Sequence, residues 1–269
     1  MSQRLPPSSE SIWDVSDHDF RIQAYQRSEL PRWVLTWTSP TSLASHQEAL
    51  TLESLREVLF PYLFESGNEV QVQVQGSFAR PLSTLASKKS SQGSHFAFWE
   101  KLGAWLRRLH HVPAPSGFGS LNQSNRYQTF NAMMAAEFDS LGQRLQMLDS
   151  EALKEQAIEL LAELRHELSS FHPHGRSTWT LGRITTERIL VDPATSRVEG
   201  ASDLSHIGLR PPEFDLANLR YHNLFGGQPQ AETAFWKGYQ AVLTSDFERR
   251  IYYFQRLLSL QTLLLLPPD

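Results

Sequence analysis

The sequence predicts an α+β protein of two unequal lobes, a small strand-rich one followed by a larger, mostly helical one. Three observations carry this. Alternating and β-branched runs crowd into the N-terminal part of the 269 residues. A small, polar, basic stretch, "STLASKKSSQGS" (83–94), then breaks the pattern as a linker does. Beyond it apolar residues recur at helical spacing, interrupted by one β-like pair around 187–203. The expected division is an N-terminal arm at 1–19, a strand-rich lobe at 20–82, a linker at 83–95 and a helical lobe at 96–269 with an embedded β-hairpin.

Each element has its own signal. "FRIQAYQR" (20–27) and "RWVLTWTS" (32–39) are β-like runs, and the "SELP" between them suits a hairpin connection. "SHQEALTLESLREVLFPYLF" (45–64) spaces Leu52, Leu55, Leu59 and Leu63 as a helix does, with Pro61 near its end. In "NEVQVQVQGSF" (68–78) Val70, Val72 and Val74 alternate with glutamines, the period of a half-buried strand. "FAFWEKLGAWLRRLHHVP" (96–113) puts Phe98, Leu102, Trp105, Leu106 and Leu109 on one helix face, and Pro113 stops it. Helices are expected at 126–148 and 150–171, the second capped by Ser150, and again over "AETAFWKGYQAVL" and "DFERRIYYFQRLLSLQTLLLL".

Bulk properties exclude several classes. Hydrophobic residues make up 40% and charged residues 20%, enough for a sizeable core and against global disorder. A net charge of −4 offers no footprint for nucleic acid or an anionic membrane. The absence of cysteine removes disulfides, thiolate catalysis and cysteine-based zinc sites. "MSQRLPPSSES" lacks the apolar core of a signal peptide, and "LLSLQTLLLL" (257–266) is too short to span a bilayer. The expectation is a cytoplasmic protein.

Three pieces, in order, carry a resemblance: "FWEKLGAWLRRLHHVPAPSGFG", "LGRITTERILVDP" and "VEGASDLSHIGLRPPEFDLANL". They resemble the aminoglycoside phosphotransferase and choline/fructosamine kinase-like family over roughly residues 30–265, most weakly in the N-terminal lobe. The second piece is similar to its catalytic loop, commonly H-G-D-L-x-x-x-N-[IV]-L-V-D, and the third to the metal-binding strand and its sequel. The resemblance implies a two-lobed, protein-kinase-like fold with a reduced N-lobe and a mostly helical C-lobe.

Carried over position by position, the resemblance implies a degenerate site. The family's catalytic aspartate falls on Arg183, the histidine before it on Leu181, and the metal-binding asparagine on Arg188. The second metal-binding aspartate falls on Asp203, and Asp215 in "EFDLA" matches a largely structural aspartate. Phosphoryl transfer needs Mg²⁺ on the phosphates, a carboxylate on the acceptor hydroxyl and cations on the charge. A guanidinium cannot accept a proton, and it cannot ligate Mg²⁺, which takes oxygen. The first glycine is Gly67 and the first lysine is Lys88, so no glycine-rich phosphate loop or gripping lysine precedes residue 67. The lysine's position falls near Thr36, and Glu48 matches the glutamate that would pair with it.

Plainer readings stand beside these. Asp203 is expected to pair with Arg188 or Arg183 rather than hold metal. The two arginines could hold an anion or a partner's acidic side chain, but a structural ion pair is the commoner use. His110, His111, His166 and "HPH" (172–174) lack the company a metal site requires. "SDLSH" (202–206) has no nucleophile elbow. Trp33 and Trp37 share a strand face that an altered cleft could leave open. The valine strand is expected either inside the small sheet or paired with a partner's edge. The resulting expectation is a pseudokinase with a protein partner, no bound cofactor and no metal. Two alternatives are an enzyme using ATP/Mg²⁺ or other chemistry in an unusual way, and a small-molecule binder using the C-lobe acceptor pocket.

Overall fold

A computed structural model describes residues 11–16, 20–27, 30–37, 53–59, 63–66, 69–73, 80–81, 92–121, 126–171, 177–192, 195–201, 204 and 206–264. Contacts divide the chain into two compact units, each assembled from three separate stretches. The first comprises Met1–Val112, Ile184–Ile207 and Phe225–Ala241; the second comprises Pro113–Arg183, Gly208–Leu224 and Val242–Asp269. This partition cuts the chain differently from the linear division expected above.

The first unit opens with strands β1 (Ser11–Ser16), β2 (Phe20–Arg27) and β3 (Leu30–Trp37). Helix α1 (Glu53–Leu59) follows, then β4 (Leu63–Ser66) and β5 (Glu69–Gln73). These strands form an antiparallel sheet of order β1-β2-β3-β5-β4. Two expectations are corrected. Residues 11–16 belong to the edge strand β1 and not to an arm. Leu63 is in β4 rather than at the end of a helix, because Pro61 cannot continue one and the next residues pair with β5. The valine strand, as β5, lies between β3 and β4 with both of its edges used, so it is not a free edge for a partner. Val74 lies outside the described residues.

Helix α2 (Gln92–His111) starts four residues before the expected 96. The predicted face of Phe98, Leu102, Trp105, Leu106 and Leu109 is buried. Trp105 Nε1 donates to the Val58 carbonyl at 3.0 Å, tying α2 to α1, whose Leu55 and Leu59 are fully buried. A second sheet of order β10-β9-β6 is formed by β6 (Arg80–Pro81), β9 (Ile189–Asp192) and β10 (Arg197–Ala201). The hairpin β9–β10 is the one expected from the sequence.

Helix α6 (Pro229–Tyr239) completes this unit by crossing α2 almost backbone to backbone. A Cβ on Gly238 would lie 1.8 Å from the Glu100 carbonyl oxygen, and one on Gly103 would lie 2.2 Å from that of Phe235. Only glycine admits such an approach.

The second unit holds a short sheet of β7 (Gly119–Ser120), β8 (Thr178–Thr180) and β11 (Gly208–Arg210), with β11 central. Its helices are α3 (Phe130–Leu145), α4 (Glu151–Leu168), α5 (Glu213–Tyr221) and α7 (Ser245–Leu263). Ser150 caps α4 as expected, its hydroxyl accepting from the Leu153 N–H. Helix α5 is buried over Glu213–Leu219, and its core contacts include the aromatic cluster of Phe130, Phe171, Phe214, Tyr253 and Phe254. No helix among the described residues is long and apolar enough to cross a membrane.

Candidate functional site

The loop after β8 begins with a turn that the next helix holds from inside. Asp215, in the first turn of α5, is fully buried. Its carboxylate accepts from the Leu181 N–H at 2.8 Å and the Gly182 N–H at 2.9 Å. Charge-assisted bonds to two backbone donors are strong and directional. Gly182 sits at φ +77°, a conformation glycine adopts without strain. The strand feeding this turn is pinned by Thr180, whose hydroxyl donates to the Gly208 carbonyl at 3.2 Å. Leu181 is buried and Arg183 is exposed.

Arg210 supports the same unit from the end of β11. Its guanidinium lies 4.8 Å from the Phe214 ring centroid and donates to the Ser120 hydroxyl at 3.3 Å. Burial pulls its pKa below the ordinary arginine range, while Glu137 and Asp215 oppose that shift.

In the other unit, the chain enters through a turn in which the Arg188 N–H donates to the Thr185 carbonyl at 3.1 Å. Arg188 is 1% exposed, one of the largest fully buried side chains. Strand β9 follows with every residue buried. Thr36 lies on β3, the third strand, opposite Arg21 on β2 and Glu69 on β5. Between β1 and β2 the sequence reads Asp17-His18-Asp19, and these three lie outside the described residues. Glu48 and Asp203 lie outside the described residues, as does "HPH" at 172–174; the expected pairing of Asp203 with an arginine therefore falls outside them too.

Sequence reasoning missed Glu199. It is the extra residue where the β9–β10 register shifts, between Val198 opposite Val191 and Gly200 opposite Leu190. Such a bulge re-aims a side chain. Its carboxylate stands 3.5 Å from Arg197 and is 9% exposed, and Oε2 is buried without a hydrogen-bond partner. Burial pushes its pKa above the ordinary glutamate value; Arg197 and Arg108 oppose this and Asp192 adds to it. The only sequence signal for the bulge in "RVEGA" is Gly200, since a glycine inside a strand often marks one.

The histidine at the end of α2 is structural. His110 Nδ1 is 2.8 Å from the Tyr239 hydroxyl, and the two rings meet edge to face. Among the described residues no three His, Cys, Asp or Glu side chains gather as a metal site would require.

Comparison with solved structures decides the fold. Residues throughout the chain superpose on a choline/ethanolamine kinase family protein from Mesorhizobium loti. That match has a TM-score of 0.65 and 16% identity, covering 95% of this chain and 77% of the other. The chain has the aminoglycoside phosphotransferase-like fold. An aminoglycoside phosphotransferase from Streptomyces rimosus shares the fold at TM-score 0.57 and 18% identity, with 92% of each chain covered. So does a spectinomycin phosphotransferase in complex with ADP and spectinomycin, at 0.58 and 12%, covering 96% of this chain and 81% of that one. No protein-family model and no curated protein matches the sequence. Within this aminoglycoside phosphotransferase-like fold, the turn at 181–183 has a framework, the Asp215 clamp, and an arginine at its head.

Proposed function

We propose that this chain is a phosphotransferase-fold protein without phosphotransferase chemistry. It acts by binding, as a scaffold, regulator or subunit for a partner protein. The observation that carries this reading is the turn at Leu181–Arg183. Asp215 holds the backbone of that turn with two buried hydrogen bonds, so the frame for a reactive residue is in place. The residue it presents is Arg183, exposed, where the resemblance calls for an aspartate. Arginine donates only, and it cannot orient or deprotonate an acceptor hydroxyl.

The residues present do not fit a magnesium nucleotide. Arg188 offers a buried guanidinium where Mg²⁺ requires oxygen. No glycine precedes Gly67 in the sequence, and Thr36 on β3 brings no cation. No step of phosphoryl transfer can be written through such a set.

A second reading is favoured by the fold neighbour that holds spectinomycin. This chain would then bind a small molecule in the helical unit and leave it unchanged. Phosphoryl-transfer assays with ATP and GTP against a panel of hydroxyl acceptors separate a binding role from an enzyme. No turnover is expected from the wild type or from Arg183→Asp, because the other deficits persist. Metal-dependent transfer by the wild type would overturn the proposal.

A further inference from the structure

The kinase-like fold implies a divalent cation beside the loop that leads into β9. At that point the chain places a side chain that is itself a cation and is 1% exposed. Arg188 heads β9, anchored by its own N–H to the Thr185 carbonyl at 3.1 Å. The four strand residues that follow are all buried, so the arginine is held at the base of a packed hairpin and not at its rim.

A guanidinium keeps its charge and offers five donors and no acceptor. Such a group is tolerated in an interior only when anionic oxygens balance it. The same oxygens are what a hard divalent ion seeks. A buried guanidinium and a divalent ion therefore compete for one environment, and covalent attachment gives the arginine permanent occupancy.

We propose that Arg188 is the resident cation of this hairpin, standing in the place of a divalent metal and making the fold metal-independent. The inference rests on the same loop correspondence as the proposed function, but it concerns metal alone and is tested without nucleotide. The ion site of an active relative is filled by a fixed internal cation. It contributes to the native state at every metal concentration, and no ion has to be taken up or released.

The test is a titration of Mn²⁺ alone, read by electron paramagnetic resonance of the free ion and by the melting temperature. The wild type is expected to leave Mn²⁺ free at millimolar concentration, with an unchanged melting temperature. Arg188→Asn removes the cation and restores an amide oxygen. It is expected to bind Mn²⁺ at least tenfold more tightly than the wild type and to gain melting temperature on its addition. Should Arg188→Asn be unfolded without metal, Mn²⁺ is expected to restore its native circular dichroism. Arg188→Lys keeps the charge and should stay insensitive to metal.

Saturable Mn²⁺ binding by the wild type would overturn the inference. So would a folded Arg188→Asn that ignores Mn²⁺, or an unfolded one that Mn²⁺ does not rescue. Each of these three results would leave the Arg183 reading untouched, since that depends on turnover with nucleotide.

Discussion

At the scale of single residues, burial and charge decide what each position can do. Asp215 is fully buried and its two oxygens serve two backbone donors, so both must be acceptors. Asp215→Asn turns one oxygen into a donor facing a donor. Urea unfolding should show a loss of about 2 kcal/mol, the usual penalty for a buried unsatisfied pair. Glu199 supplies a pH prediction. Burial raises its pKa in the folded state, so its contribution is fully present below the ordinary glutamate value and is lost as pH rises through the folded value. Glu199→Gln should therefore be more stable than the wild type near pH 7 and indistinguishable from it near pH 4, as read by thermal melts across that range. Sequence position singles out Arg183, Arg188 and Asp215. It could not show that Arg188 is enclosed while Arg183 faces solvent, because burial depends on the hairpin and helices packed around each.

At the scale of elements, the apolar face of α2 and the cap of α4 were legible because local periodicity and capping chemistry are written in adjacent residues. The strand β1 was not. "SIWDVS" is short and mixed, and it is held by pairing with β2, a tertiary effect that propensity does not report. The glycines of the α2–α6 crossing were equally silent. In an isolated helix Gly238→Ala would stabilise by up to about 1 kcal/mol. Here the new methyl would collide with the Glu100 carbonyl, so the sign should invert. Denaturation is expected to show a loss of about 2 kcal/mol, in the range of core overpacking. The join between α5 and α7 has a similar logic. Glu213 and Arg250 form an ion pair at 2.8 Å with both side chains nearly inaccessible. Glu213→Gln alone should cost about 3 kcal/mol, whereas Glu213→Leu combined with Arg250→Met should cost clearly less, as a double-mutant cycle would reveal.

At the scale of the whole molecule, each compact unit is stitched from distant stretches of chain. Composition suggested a linear division into an N-lobe and a C-lobe, and the compact units do not follow it. The interleaving was not legible, since it arises from long-range pairings such as β6 with β9 and α2 with α6. A fragment of residues 96–269 would lack both β6 and α1 and would uncover the α2 face that Leu55 and Leu59 help bury. It is expected to lack the near-ultraviolet circular dichroism of the full chain. The molecule as a whole has the aminoglycoside phosphotransferase-like fold, with an exposed arginine at the head of the clamped turn and a buried one at the start of β9. The measurement that tests this account most directly is a calorimetric titration of the full chain with ATP and GTP, each with and without Mg²⁺, alongside Asp203→Ala. The account predicts no heat of binding under any of these conditions. Metal-dependent nucleotide binding that Asp203→Ala abolishes would contradict it.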